Sequence, residues 1–304
     1  MGDFSGTGAI GAGFRLIGRE PLAFLAWILS FLLLGVLPQV GFFAAILPQW
    51  SRMMQEIAAH GPAHTPMTSL GMFRAQAGMM QLQPLVWLSS LVSRTLVLSA
   101  IYRAVLEPED RGFFYLRLGM RELWLGLTML VLVVVAILLM IVAMVPTMIL
   151  VGFIAALAHE APGVQLMIVP VTFLAMGVVV WVLLRLSMAT PMSFAQRGFR
   201  LYESWDLTRG QAGKMFFVAL AFVVMAIGFE VVVGCLGLVA LGGFAGVEHL
   251  SDWVLQPKFD LARIMPWVVG AGVAASIIAT AIFTLFGAGW AEIYRELTEA
   301  PRPA

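Results

Sequence analysis

Six runs of this chain are long and apolar enough to cross a lipid bilayer: 21–47, 84–106, 123–158, 164–189, 215–244 and 264–288. About 20 apolar residues in helical form span the hydrocarbon core. Inside that core every backbone amide must be satisfied by protein, which leaves only helices or the strands of a closed barrel. The runs lack the apolar–polar alternation of barrel strands. The sequence therefore predicts an all-α integral membrane protein with six transmembrane helices, built as a single membrane domain over 1–304. Composition agrees: 61% of residues are hydrophobic and 12% charged, against about 25% charged in a soluble domain. The third run is too long for one straight crossing, so Pro146 is expected to kink it, or its first turns to lie at the interface.

Lys and Arg set the orientation. With the N-terminus inside, the inner segments carry Arg15, Arg19, Arg103, Arg111, Arg117, Arg121, Arg197, Arg200, Arg209, Lys214, Arg295 and Arg302. The outer loops carry only Arg52, Arg74, Lys258 and Arg263. This bias predicts both termini in the cytoplasm. Residues 1–13 are Gly-rich without a basic residue, and the run that follows is too long for a signal-peptide core, so no cleaved signal is expected. Gly6 stands where a myristoylation motif needs Ser or Thr.

Several loop stretches have the mixed character of interfacial amphipathic helices. MMQEIAA (53–59) and MFRAQAGMMQ (72–81) are expected on the outer face, and RGFFYLRLGMREL (111–123) and QRGFRLYESW (196–205) on the inner. One phrase recurs. Arg15-Leu-x-x-Arg19-Glu20 precedes the first run, and Arg117-Leu-x-x-Arg121-Glu122 precedes the third. A looser version, Arg209 to Lys214, precedes the fifth. On a helix, positions i and i+4 share a face, so each pair forms a basic stripe suited to lipid phosphates. Two explanations stand: a three-fold repeat of helical hairpins, or the positive-inside rule acting before each outward span.

Two ionisable residues fall mid-run, Arg94 in the second and Glu230 in the fifth. A charge at mid-bilayer costs about 2.5–3.5 kcal/mol on insertion scales and marks a candidate functional site. The simplest arrangement is a buried Arg94–Glu230 pair, either locking helix packing or forming a polar centre for an anionic head group or a proton. Arg185 near the inner end of the fourth run is expected to snorkel to the interface. Gly272, Ser276, Thr280, Thr284 and Ala288, at steps of four, form a small-residue stripe whose favoured reading is close helix packing.

Nothing in the sequence points to catalysis or to a cofactor. No Walker loop, G-x-S-x-G, H-E-x-x-H or dinucleotide fingerprint is present. His60 and His64 with nearby Met residues fit a soft copper site poorly, because Gly61-Pro62 breaks any helix between them. No metal is therefore assigned. A net charge of +1 and a single cysteine, Cys235, give no case for nucleic-acid binding or an intrachain disulfide.

The core Ser204-Trp205-x-Leu207-Thr208-x-Gly210, between two runs, resembles uncharacterised bacterial six-span inner-membrane proteins. It is similar to the membrane domain found on some glycerophosphodiester phosphodiesterases. IYRAVLEPEDRGFFYLRLGMREL resembles a matching cytoplasmic segment in proteins of alphaproteobacterial type. The resemblance implies a multi-pass protein of the bacterial inner membrane and no activity, since the catalytic domain has no counterpart in these residues. The expected function is non-enzymatic: binding or moving a lipid or amphiphile, or supporting a membrane assembly. The alternative is a secondary transporter or channel built on Arg94 and Glu230. Expected partners are membrane lipids, and other membrane subunits or a homo-oligomer.

Overall fold

The computed structural model describes residues 4–42, 44–46, 69–157, 164–245 and 261–299. Every element among them is helical. Helix α1 is Gly6–Arg19, and α2 is Pro21–Phe31, continued by a π-turn at Leu32–Val36. Helix α3 is Ser69–Leu106, α4 Met120–Leu157 and α5 Val164–Leu186. The short α6 (Ala189–Ala195) and α7 (Leu201–Leu207) precede α8, Ala212–Ala245, and α9, Leu261–Glu299. Six segments are long and apolar enough to cross a membrane: Pro21–Ile46, Gln83–Leu106, Gly112–Phe153, Val169–Ala195, Ala212–Val232 and Val269–Glu299.

Local structure departs from the sequence reading in two places. Residues 72–81 are not a separate interfacial helix; α3 runs unbroken from Ser69 through Pro84. The 53–59 stretch lies outside the described residues. Helix α4 continues through Pro146, with the Thr147 hydroxyl donating to the Ala143 carbonyl at 2.7 Å. The 111–123 stretch is not an interfacial helix either. It holds a tight turn at Gly112–Tyr115 with left-handed Phe113, Phe114 and Tyr115 (φ 46°, 58° and 65°), then extended backbone at Leu116.

That last difference bears on the repeated phrase. Arg15 and Arg19 both lie within α1 and do share a helix face. Arg117 precedes α4 in non-helical backbone while Arg121 opens the helix, so the second copy forms no i, i+4 stripe. Arg209 likewise sits in a turn before α8. The three phrases share wording without sharing conformation.

The chain divides into two compact units. One comprises Met1–Leu16, Leu98–Phe222 and Leu285–Ala304. Its core gathers Leu98, Tyr102, Leu125, Phe194 and Ala291. Glycines admit close helix approach here. A Cβ on Gly13 would stand 2.6 Å from the Leu285 Cα, which seats α1 against the C-terminal half of α9. A Cβ on Gly287 would meet the Leu98 side chain at 2.8 Å.

The other unit comprises Ile17–Val97 and Val223–Thr284. Trp27 is fully buried in it, and Phe31 packs on Phe283 with ring centroids 5.8 Å apart. The small-residue stripe is part of this packing. Ser276, Thr280 and Thr284 are fully buried, and each hydroxyl donates to the carbonyl four residues earlier at 2.7–2.8 Å. Gly272 lies against Val36, and Gly35 against the Ser93 hydroxyl. Hydroxyls turned back onto their own helix fill space between neighbours, which is the packing role expected of the stripe.

A cationic cleft and its supports

Arg103 anchors the most polar region of the first unit. It stands at the end of α3, with its side chain 4% exposed. A guanidinium at such depth must be paired and hydrogen-bonded. It donates Nη2 to the Glu122 carboxylate and Nη1 to the Tyr115 carbonyl, with Asp110 3.9 Å from Nε. Phe194 underlies it, the guanidinium carbon 5.6 Å from the ring centroid. Arg121 also lies over Phe194, at 5.8 Å, and binds both oxygens of Glu107 at 2.7 and 2.8 Å. Arg117 pairs with Asp110 at 2.7 Å.

These contacts explain the left-handed turn. Three consecutive non-glycine residues with positive φ cost roughly 1–2 kcal/mol each, and such strain persists only where the surroundings over-determine it. Arg103 supplies that constraint by binding the Tyr115 carbonyl. Tyr115 itself is 2% exposed, and its hydroxyl donates to the Pro108 carbonyl at 3.5 Å. Gly112 completes the turn, because a Cβ there would collide with the Arg117 guanidinium.

A second strained residue faces the same space. Arg197 has φ 54°, in the turn that follows α6. Ser193 holds that turn. Its hydroxyl accepts from Thr128 at 3.0 Å and from the Arg200 amide at 3.2 Å, and its carbonyl accepts from the Gly198 amide. Arg103, Arg117, Arg121 and Arg197, with Asp110 and Glu122, line a cleft of roughly 500 Å³. Four arginines against two carboxylates leave the lining cationic, and Glu107, bonded to Arg121, removes part of that excess. Arg197 makes no hydrogen bond or ion pair among the described residues. Large apolar side chains border the cleft: Leu118 is 81% exposed and Met120 66%.

Arg185 is the other buried cation among the described residues of this unit. The sequence suggested a snorkelling anchor, but its side chain is enclosed. Its guanidinium carbon lies 4.7 Å from the Trp205 ring centroid and 5.9 Å from that of Trp181, cation–π contacts with two indoles that meet edge to face at 5.3 Å. The Arg185 carbonyl accepts from the Ser204 hydroxyl at 2.9 Å and the Thr208 hydroxyl at 3.2 Å. Gly210 adopts φ 82° in the turn that follows α7. The residues that carried the family resemblance thus have a physical role: they cap the end of α5 and stack on its last cation. Nearby, the Arg200 guanidinium holds the Glu203 carboxyl below its ordinary range.

Of the six basic residues expected at lipid phosphates, Arg117 and Arg121 meet in the cleft; Arg103 and Arg197 join them there without having been singled out. Arg15 is exposed, bonded to the Gly8 carbonyl at 3.1 Å and 3.8 Å from Glu292. Arg19 and Arg209 are exposed, as is Lys214 in the first turn of α8. Arg94 and Glu230 are also exposed, and no ion pair joins them. The buried intrachain pair expected of them is not formed, because each side chain leaves its helix on an outer face. Among the described residues no cluster of His, Cys, Asp and Glu could hold a metal ion. No family model, curated protein or solved structure matches this chain.

Proposed function

We propose that this protein is a non-enzymatic, multi-pass protein of the bacterial inner membrane that holds the phosphate of an anionic lipid in the arginine-lined cleft. The reading rests on one observation. Arg197, without a bonded partner among the described residues, faces the same cleft as Arg117 and Arg121, beside exposed Leu118 and Met120. Guanidinium groups bind phosphate in bidentate fashion, and aromatic and apolar side chains seat at the head-group level. Each basic residue near an anionic leaflet contributes about 1 kcal/mol. The excess of Lys and Arg in the same connecting segments supports a cytoplasmic placement of the cleft and of both termini. The resemblance to the membrane domain of glycerophosphodiester phosphodiesterases is consistent with a lipid-facing role.

Native mass spectrometry in mild detergent tests the proposal. After incubation with phosphatidylglycerol, the wild-type chain is expected to retain lipid; with phosphatidylcholine it retains several-fold less. Excess inorganic phosphate separates a lipid site from a site for the free anion, which alone would be displaced fully. Arg117→Ala with Arg197→Ala should abolish the preference for phosphatidylglycerol. Equal retention of both lipids, or an unchanged preference in the variant, refutes it.

A further inference from the structure

Charges exposed within spanning helices need cover that lipid cannot give. Arg94 is the twelfth of the 24 residues of Gln83–Leu106. Glu230 is the nineteenth of the 34 residues of α8 and the nineteenth of the 21 residues of Ala212–Val232. Both side chains are exposed, and neither makes a hydrogen bond or ion pair among the described residues. Their surroundings on the helix surface are apolar. Trp87 and Leu91 stand seven and three residues before Arg94, on the same face, with Trp87 62% exposed. Val223 and Ile227 stand seven and three residues before Glu230, both exposed. Against hydrocarbon, each charge would cost about 2.5–3.5 kcal/mol on insertion scales.

The two charges are opposite in sign and lie within membrane-length apolar segments, and both belong to one compact unit. We infer that a second copy of this chain covers these faces, with Arg94 of one copy paired to Glu230 of the partner subunit. A two-fold axis along the membrane normal keeps both copies in the same topology and at the same depth. Symmetry then makes the contact reciprocal, so one interface removes four charges from lipid. A copy of the chain carries both halves of the pair by construction. An unrelated partner would have to supply an acid and a base independently.

Co-expression of two differently tagged chains tests this, read by tandem-tag recovery and by native mass. Wild type should run at about twice the 33.0 kDa of one chain. Arg94→Gln alone, or Glu230→Gln alone, loses both reciprocal pairs and should reduce co-purification about ten-fold. Mixing the two variants restores one intact pair, so tagged Arg94→Gln should recover Glu230→Gln several-fold better than it recovers itself. Misfolding cannot produce that rescue, and neither can a pair formed within one chain. A monomeric wild type, unchanged self-association of the single variants, or no preference for the mixed pair overturns the inference. So does a different protein recovered in fixed ratio in place of the second copy. The head-group cleft is untouched by these substitutions, so its retention of phosphatidylglycerol is read separately.

Discussion

Replacing Glu122 by Leu would strand a buried guanidinium. Arg103 and Glu122 are 4% and 5% exposed, and removing one member of a buried pair costs about 3–5 kcal/mol. Arg103 would keep the Tyr115 carbonyl and Asp110 at 3.9 Å, which places the expected loss near the lower end, about 3 kcal/mol. At about 2–4 °C per kcal/mol, the apparent Tm should fall by roughly 6–12 °C. Glu122→Gln keeps an acceptor and should lose about half as much. Arg103→Met with Glu122→Leu removes both charges and should recover only part of the loss, because an apolar pair replaces the ion pair at little cost but the Tyr115 carbonyl loses the donor that constrains the left-handed turn. The assay is thermal retention of the monodisperse peak in mild detergent, at one heating rate for all variants, since unfolding of such proteins is often irreversible. A Glu122→Leu Tm within about 2 °C of wild type would refute the reasoning, as would a double variant less stable than the single.

Three further outcomes follow from particular contacts. Ser204→Ala with Thr208→Val removes both side-chain donors to the Arg185 carbonyl and should lower stability by about 1–3 kcal/mol, with either single change costing less; the same thermal assay reads it. Gly112→Ala pushes the Arg117 guanidinium from its seat, and should reduce phosphatidylglycerol retention by native mass spectrometry while shifting Tm little. Thr280→Val removes one hydroxyl bonded only within its own helix, so it should cost about 0.5–1.5 kcal/mol, whereas Thr280→Leu overpacks the site by about 1–3 kcal/mol.

The membrane architecture was legible because it rests on a bulk property. Runs of more than 20 apolar residues have no alternative solvent, and all six predicted spans correspond to helices long enough to cross. Connecting segments obey local geometry that apolar patterning does not encode. The amphipathic wording of 111–123 suggested a helix, yet contacts from Arg103 and over Gly112 hold the backbone in a left-handed turn. Arg117 and Arg121 could be picked from their spacing. Arg103 and Arg197 could not, because what places them is tertiary: Glu122 lies 19 residues beyond Arg103, and the hydroxyl of Ser193 sets the Arg197 turn. The Arg185 cation–π cluster was half visible. Trp181 precedes it by one helical turn, but Trp205 arrives from α7 through the Ser204 and Thr208 bonds to the end of α5. The same limit applied to Arg94 and Glu230, whose depth was readable but whose direction around the helix was not.

A cryo-electron microscopy map of the protein in phosphatidylglycerol nanodiscs tests the central claim most directly. The predicted result is head-group density within hydrogen-bonding reach of the Arg197 and Arg117 guanidinium groups, its acyl chains leaving past Leu118 and Met120. A cleft closed by Arg197 bonding to Asp110 or Glu122, with ordered lipid only elsewhere on the surface, would contradict it.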